Sequence, residues 1–262
     1  MNKVAFALIA VIIIGTVGYV AQNNGQKEVQ MEKAQSSDTI KNPSLVTPIS
    51  HATMVLPLGG QVIYTDPVGG REAFVGQPDA SIILITDIHG DHMDVDTLNV
   101  VSKEDTILIV PQAVADMLPE DLPATRIILA NGETTTQKGI DIEAVPMYNV
   151  PESADAFHTK GRGNGYILEA EGKRIYIAGD TSVTPEMQAL ENIDVAFIPM
   201  NLPYTMNEEE AAEGVLAFKP KVVHPYHYRG QEGLADVNKF KELVESKSSN
   251  IQVELLNFYP QN

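Results

Sequence analysis

The sequence of 262 residues contains no cysteine. Thiolate metal sites, disulfide bridges and cysteine nucleophiles are therefore excluded. Any metal ion that side chains of this protein bind must be held by histidine, aspartate, glutamate or asparagine. Histidine is scarce as well, with six in the whole chain, so histidines that cluster in the sequence are informative.

Basic residues are also few. The 18 Lys and Arg residues stand against 35 Asp and Glu residues, which gives a formal net charge of -17 at pH 7. The acidic residues are spread along the chain, and their field would repel the phosphates of a nucleic acid. No glycine-rich phosphate loop follows a predicted strand, so nucleotide binding has little support either. We therefore expect no nucleic-acid partner.

The first 21 residues differ from the rest of the chain. Val4 to Ile14 form an uninterrupted apolar run, and Gly15 to Ala21 extend it, as in a bacterial export signal. The run is also about long enough to span a bilayer if it is retained. The polar stretch that follows is typical of a solvated linker.

This pattern predicts a signal peptide or membrane anchor over residues 1–21, a polar linker over 22–48 and one folded domain over 49–262. The protein would then be exported, either to the periplasm or to the inner membrane. In the second case the apolar segment would be its membrane contact.

Short β-like runs and a few helical stretches alternate from residue 50 onward. Gly59 and Gly60 separate two such runs and predict a β-hairpin. Helices interrupt the strands in both halves, which favours an α/β fold of two sheets between helices over a β-sandwich or a doubly wound sheet. The predicted helices cover Pro111 to Leu118, Pro185 to Glu191, Asn207 to Phe218, with a capping box, and Leu234 to Glu245.

Residues 87–92, Asp-Ile-His-Gly-Asp-His, carry four potential metal ligands in six positions directly after the apolar run 81–86. Asp87, His89 and Asp91 alternate, so they project to the same side of an extended chain. Gly90 allows the chain to bend and bring in His92. The segment predicts a metal site. The alternative, a surface loop with incidental ligands, would require two of only six histidines to fall there by chance.

Two later segments have a similar character. Asp180 follows a β-like run and the flexible Gly179, and it could bridge two cations; a turn or helix-cap role before Pro185 is the alternative. His224 and His227 follow another β-like run, beside tyrosines. A single histidine there would usually be structural, whereas two together also suggest a ligand.

Taken in order, these segments resemble the metallo-β-lactamase superfamily and, within it, the ascorbate-6-phosphate lactonase-like branch. The resemblance extends from His51 to Tyr228. The segments that carry it are residues 51–53, 65–67, 87–92, 145–149, 157–158, 165–166, 175–181, 203–206 and 225–228. It implies a four-layer αββα sandwich with metal ions held at the sheet edges between the two halves.

The resemblance also implies a set of ligands. His89 would serve the first metal, and Asp91 and His92 the second. Asp180 would bridge the two ions, and His227 would complete the second site.

The sequence departs from the family pattern at two ligand positions. Asp87 stands where the family has a histidine, and a carboxylate there would favour manganese or iron over zinc, or weaken one site. Asn149 occupies the position where the family's third motif has a ligand histidine. His158, nine residues further on, could serve as the ligand instead. We expect one or two divalent ions, zinc in the first place, with manganese or iron as alternatives.

The resemblance implies a hydrolase that activates water at its metal centre and acts on a small ester, lactone, amide or phosphodiester. Asp91 would position the water and relay its proton, and Tyr148 would stabilise the oxyanion, with Tyr228 or Arg229 as alternatives. His51 is expected at the pocket wall, where it orients a ligand or substrate. His224 is expected to be structural.

Two other functions fit the same residues. The altered ligands Asp87 and Asn149 suggest a membrane-tethered or exported protein of this fold that binds metal or ligand without turnover. The other is a β-lactamase in the antibiotic sense, which the exchanged ligands and the lactonase-like segments disfavour.

Overall fold

The computed structural model describes residues 46–260. The predicted export segment, and the predicted linker as far as residue 45, lie outside the described residues. Among residues 46–260, no helix is both long and apolar enough to cross a bilayer. The first strand begins at Thr47, slightly before the predicted start of the folded domain at residue 49.

In the described part of the chain, the first sheet has six strands that lie in chain order. They are β1 (Thr47–Ser50), β2 (Thr53–Leu58), β3 (Gln61–Thr65), β4 (Ile82–Leu84), β5 (Ile107–Val110) and β6 (Thr125–Ile128). Strands β1 to β3 are antiparallel, and β3 to β6 run parallel. The predicted hairpin between β2 and β3 is confirmed, and both Gly59 and Gly60 have the positive φ that its turn requires.

The second sheet has seven strands among the described residues, in the order β15-β12-β11-β10-β9-β8-β7. They are β7 (Thr134–Gln137), β8 (Ile140–Met147), β9 (Gly163–Ala170), β10 (Lys173–Ile177), β11 (Val195–Pro199), β12 (Val222–Tyr226) and β15 (Gln252–Val253). Strands β7 to β10 are antiparallel, and β10, β11, β12 and β15 run parallel. A separate hairpin joins β13 (Arg229–Gly230) and β14 (Gly233–Leu234).

The α-helices of residues 46–260 are α1 (Val95–Val101), α2 (Gln112–Ala115), α3 (Pro185–Gln188), α4 (Glu208–Phe218) and α5 (Val237–Glu245). The capping box predicted for α4 is confirmed between Asn207 and Glu210. Helix α1 was not predicted, because its sequence is rich in β-branched residues of low helix propensity. It forms where Asp94 caps its first turn and Leu98 is buried.

Three predicted helices were too long. Leu118 lies beyond the end of α2 but is buried in the same core, so its apolar character indicated burial and not helix. Leu190 lies beyond the end of α3, where it is partly buried and packs against the core that contains Met187. Helix α5 begins only at Val237, because Leu234 belongs to β14 and Asp236 caps the helix.

Alternating side chains divide the core into layers. Ile82 and Leu84 of β4 belong to the large core that includes both sheets, while Ile83 points to the opposite face, where it packs in the core of α1 and α2. On the far side, Tyr176 of β10 meets Phe218 of α4 edge to face. Helices therefore cover the outer face of each sheet, and the predicted four-layer αββα sandwich is confirmed.

The two sheets approach each other closely at one edge. The Asn164 N–H donates to the Thr86 carbonyl at 2.9 Å, and the Tyr166 hydroxyl donates to the Ile85 carbonyl at 2.8 Å. A Cβ added at Gly163 would lie 2.7 Å from the Thr86 carbonyl oxygen, so only glycine allows this approach. The loops that follow β3, β4, β8, β10, β11 and β12 meet at this edge, and they contain the predicted ligands.

Candidate metal centre

The first half of the site consists of Asp87, His89 and His158. Asp87 is fully buried in the loop after β4, and its Oδ2 lies 2.6 Å from His89 Nδ1 and 3.7 Å from His158 Nε2. One ligand atom from each of the three residues lies within 4.8 Å of the others. The structure thus brings together Asp87, which stands where the family has a histidine, and His158, which lies nine residues after the usual third-motif position.

The second half consists of Asp91, His92 and His227. His92 Nε2 lies 3.2 Å from His227 Nε2, and His227 Nε2 lies 3.2 Å from Asp91 Oδ2. His92 Nε2 is also 3.9 Å from Asp91 Oδ1. Both histidines are buried, whereas the Asp91 side chain is 44% exposed, so this half opens to solvent through Asp91.

Asp180 lies between the two halves. Its Oδ2 is 3.4 Å from His158 Nε2 and 3.5 Å from His92 Nε2, and its Oδ1 is 3.5 Å from His227 Nε2. The preceding Gly179 has a positive φ of 66°, which directs the chain away from β10 and places the carboxylate here. The structure puts Asp180 where a ligand shared by two cations would stand.

The residues present fit divalent cations. Buried ligand atoms without a hydrogen-bond partner include His158 Nε2 in the first half and Asp180 Oδ1, which faces His227 of the second half. Unpaired buried polar atoms are costly and need an explanation. A cation in each half would satisfy the converging nitrogen and carboxylate donors, which are the ligand types that zinc, manganese and iron accept.

Charge coupling dominates the electrostatics of the centre. Burial alone would raise the pKa of Asp91 and Asp180, but the neighbouring histidines outweigh it and hold both pKa values well below the usual range. Burial would lower the pKa of His92, but Asp180 and Asp66 outweigh it and raise that pKa well above 6.5. Burial keeps the pKa of His158 low, so this imidazole is in the neutral form that binds metals.

Asp66, at the end of β3, fixes the orientation of His92. Its Oδ2 lies 2.9 Å from His92 Nδ1 and accepts a hydrogen bond from the Thr86 hydroxyl at 2.7 Å. The Thr86 N–H donates to the other oxygen, Oδ1, at 2.7 Å. His92 Nε2 is therefore held toward the centre, as carboxylate partners hold metal-binding histidines. This role was not predicted from the sequence, although Asp66 directly follows the strand β3.

Arg162 and Asn201 were also missed. Arg162 donates from Nε and Nη2 to the two oxygens of Asp87 at 3.2 and 3.1 Å. Asn201 Nδ2 lies 3.4 Å from both Asp180 Oδ2 and His227 Nε2, while its Oδ1 accepts from the Thr205 hydroxyl. Neither residue belongs to a sequence motif, because their partners are distant in the chain.

Asn149 is not aimed at the cluster. Its Oδ1 accepts the His158 N–H at 2.8 Å, and its Nδ2 donates to the Tyr204 carbonyl at 2.8 Å. It therefore braces the loop that carries His158, whose Nε2 lies 3.4 Å from Asp180 Oδ2.

The expectation that Tyr148 faces the metal centre is not met. Its hydroxyl donates to Glu186 Oε2 at 2.9 Å and accepts from Lys160 Nζ at 3.3 Å, so it is committed to an ion pair outside the cluster. Tyr228 is likewise committed, with its hydroxyl 3.2 Å from the Leu256 carbonyl oxygen.

His51 lies at the wall of the second half, where it was expected. One of its ring nitrogens comes within 4.8 Å of ligand atoms of Asp91 and His227, and its Nδ1 is 3.4 Å from the Tyr259 hydroxyl. Burial and the charge of His227 lower its pKa. His224 stacks on Phe197, away from the cluster, which agrees with the expected structural role.

A cavity of about 300 Å³ opens over the centre. It is lined by His89, Asp91, Phe157, His158, Asp180, Asn201 and Tyr204. Phe157 is 49% exposed, and its ring meets the Tyr204 ring edge to face. The cavity is therefore small, with ligands at its base and two aromatic rings at its wall.

Comparison with known proteins agrees with this geometry. The profile of the β-lactamase superfamily domain matches residues 45–227. A metal-dependent hydrolase of Thermococcus onnurineus is 33% identical over 78% of this chain and 93% of its own. Solved structures of a metal-dependent hydrolase of Parabacteroides distasonis (39% identity, TM-score 0.70, 80% of this chain and 91% of that one) and of a metallo hydrolase of Ignicoccus hospitalis (25% identity, TM-score 0.68, 80% and 94%) share the fold. The chain therefore belongs to the β-lactamase superfamily and to the metal-dependent hydrolases within it.

Proposed function

We propose that this hydrolase uses two divalent ions to activate water against a small ester, lactone, amide or phosphodiester. The observation that carries the proposal is the position of Asp180, within 3.5 Å of three histidines that belong to two separate ligand sets. The small cavity above these residues supports a small-molecule substrate. The narrower likeness to ascorbate-6-phosphate lactonases stays a prediction.

The ligand sets support the following assignment. Asp87, His89 and His158 would hold one ion, and Asp91, His92 and His227 the other, with Asp180 shared. Bound there, the ions would supply Lewis acidity and lower the pKa of a water molecule toward neutrality. We propose zinc as the ion, because each ion would have two imidazole and two carboxylate ligands, a set that zinc accepts, with manganese or iron as the alternatives that the extra carboxylate favours.

Four side chains of the pocket would then act on the water and the substrate. Asp91 is the accessible carboxylate of the cluster, and its lowered pKa keeps it ionised, so it can accept a hydrogen bond from the water and orient it. The Asn201 amide is turned into the centre by Thr205, so its N–H group can donate to a developing oxyanion. Phe157 and Tyr204 would contact the body of the substrate.

Turnover assays on Asp180→Ala and His89→Ala test the proposal. Both variants should lose at least about a hundredfold in kcat/KM on any ester, lactone or phosphodiester that the unaltered protein hydrolyses, while circular dichroism stays the same. Glu254→Gln, at an exposed site away from the cluster, is the matched control and should keep full activity. Full activity of either cluster variant, or of metal-free protein, would refute the proposal; nitrocefin in the same panel tests the β-lactamase alternative.

A further inference from the structure

The pair formed by Asp87 and Arg162 occupies the position where the family pattern has one histidine. The guanidinium meets the carboxylate edge to edge, with Nε 3.2 Å from Oδ1 and Nη2 3.1 Å from Oδ2. Arg162 Nη2 also donates to the Phe157 carbonyl at 2.6 Å, which fixes the plane of the guanidinium group. Bidentate pairs of this kind are strong and directional.

The two oxygens of Asp87 have different surroundings. Within residues 46–260, Oδ1 forms hydrogen bonds or ion pairs with Arg162 alone. Oδ2 also faces His89 Nδ1 at 2.6 Å and His158 Nε2 at 3.7 Å. Oδ2 is therefore the atom available to a cation, and Oδ1 is its anchor. The anchored carboxylate cannot rotate away from the centre without breaking the pair with Arg162.

The pair also restores the charge of the histidine that it replaces. A neutral imidazole contributes no charge to a metal site, whereas a carboxylate contributes one negative charge. Arg162 contributes one positive charge, and its side chain is only 20% exposed, so the charge is weakly screened. The sum over the two residues is zero, as for the histidine.

We infer that Asp87 and Arg162 form a matched unit that replaces one histidine ligand, in which Asp87 Oδ2 binds the cation and Arg162 holds the carboxylate and cancels its charge. Arg162 is then a positioning residue. The inference requires metal binding by this half of the site and is independent of the substrate.

A double-mutant cycle in metal affinity tests the unit. Zn²⁺ and, separately, Mn²⁺ are titrated into metal-free protein against a chromophoric chelator, and the binding step of this half is identified as the one that His158→Ala weakens. Asp87→His should lower the affinity about tenfold or more, although it installs the usual ligand, because Arg162 loses its partner beside the cation. Adding Arg162→Gln to Asp87→His should recover most of that loss.

The direction in which Arg162→Gln changes the metal affinity shows whether Asp87 and Arg162 form a matched unit. With Asp87 present, Arg162→Gln should lower the affinity, since Oδ2 is no longer held; with Asp87→His, it should raise the affinity. Arg174→Gln is the control, because it removes a guanidinium that pairs with Glu143 away from the cluster. It should leave the metal affinity unchanged both with Asp87 and with Asp87→His. If Asp87→His does not fold, as judged by circular dichroism, Asp87→Asn takes its place with the same expected recovery.

Three results would overturn the inference. Asp87→His could bind metal as tightly as the unaltered protein, Arg162→Gln could act alike in both backgrounds, or the unaltered protein could bind no metal in this half. Because no substrate is present, the first two outcomes are separate from a failure to find turnover, whereas the third would also overturn the proposed two-ion centre.

Discussion

A carboxylate that never touches solvent orients the most buried histidine of the metal centre. Asp66 is fully buried and bonded to both Thr86 and His92, so His92 has one rotamer in which Nδ1 is satisfied and Nε2 faces the cluster. Partners of this kind are as much part of a metal site as the ligands. The orientation of a candidate ligand thus depends on Asp66, a residue outside the segment 87–92 by which the site was predicted.

Asp66→Asn should lower the metal affinity of the half that contains His92 by about 10- to 100-fold. The carboxamide keeps the shape of the side chain but loses the charge that favours the orientation of His92. Chelator competition measures the affinity. Asp105→Asn, at an exposed aspartate, serves as the control. An unchanged affinity for Asp66→Asn would show that Asp66 has no role in orienting the ligand.

Some residues of the site follow from the sequence and others do not. The ligands of the segment 87–92 could be predicted, because local spacing after a strand determines where they point. Arg162 and Asn201 could not, because their roles depend on contacts with residues far away in the chain. Tyr148 was assigned to the site from its neighbourhood in the sequence, but its hydroxyl turns to Glu186 instead.

Among secondary-structure elements, the starts of strands in the second sheet are joined by an acid that is only partly buried. Asp194, directly before β11, accepts the N–H of Arg174 in β10 at 2.8 Å and binds Lys221 Nζ, before β12, at 2.6 Å. Burial would raise its pKa, but these bonds lower it below 3.8. Asp194 therefore links three neighbouring parallel strands.

Asp194→Asn should reduce the free energy of unfolding by about 1 kcal/mol at pH 7. Because the folded pKa lies below the unfolded value of 3.8, the contribution is present above that value and is lost as the pH falls through the folded pKa. Urea unfolding of both proteins at a series of pH values checks this. A difference that grows on acidification would contradict it.

Helix α4 offers a second test at the scale of the element. Asn207 caps its first turn and takes part in the confirmed capping box with Glu210. Asn207→Ala should lower the free energy of unfolding by about 1 kcal/mol, because the Glu210 N–H in the first turn loses its acceptor. Thermal unfolding gives the value, and an unchanged midpoint would show that the cap adds nothing.

The elements were predictable where local pattern and tertiary packing agree. The hairpin at Gly59 and the cap of α4 have strong local signals, and both are present. Helix α1 escaped prediction because its stability comes from burial of Leu98 and not from propensity. Helices α2 and α3 are shorter than predicted because Leu118 and Leu190, the apolar residues after them, pack against the core from non-helical segments.

The whole molecule is an acidic chain with a charge of -17, in which two covered sheets open at one edge onto a metal centre. The layered arrangement could be predicted from the alternation of strands and helices in the sequence. The pairing of strands that are distant in the chain could not, and it is known only from the structure. Loops from both sheets contribute the candidate ligands at this edge, so the proposed function depends on how the two sheets meet there.

Export remains a prediction of the sequence. Cells that produce the full chain should contain it in the periplasm or at the inner membrane, and a chain that lacks residues 1–21 should stay in the cytoplasm. Fractionation followed by detection of the protein and its size checks both location and cleavage. Recovery of the full chain from the soluble cytoplasm would contradict the prediction.

The central claim is that Asp180 is shared by two metal ions held by ligands from both halves of the chain. Anomalous X-ray diffraction from crystals of active protein grown with zinc tests it most directly. We predict an ion on each side of Asp180, one beside His89 and His158 and the other beside His92 and His227. Crystals of fully active protein with no ion in contact with Asp180 would contradict the account.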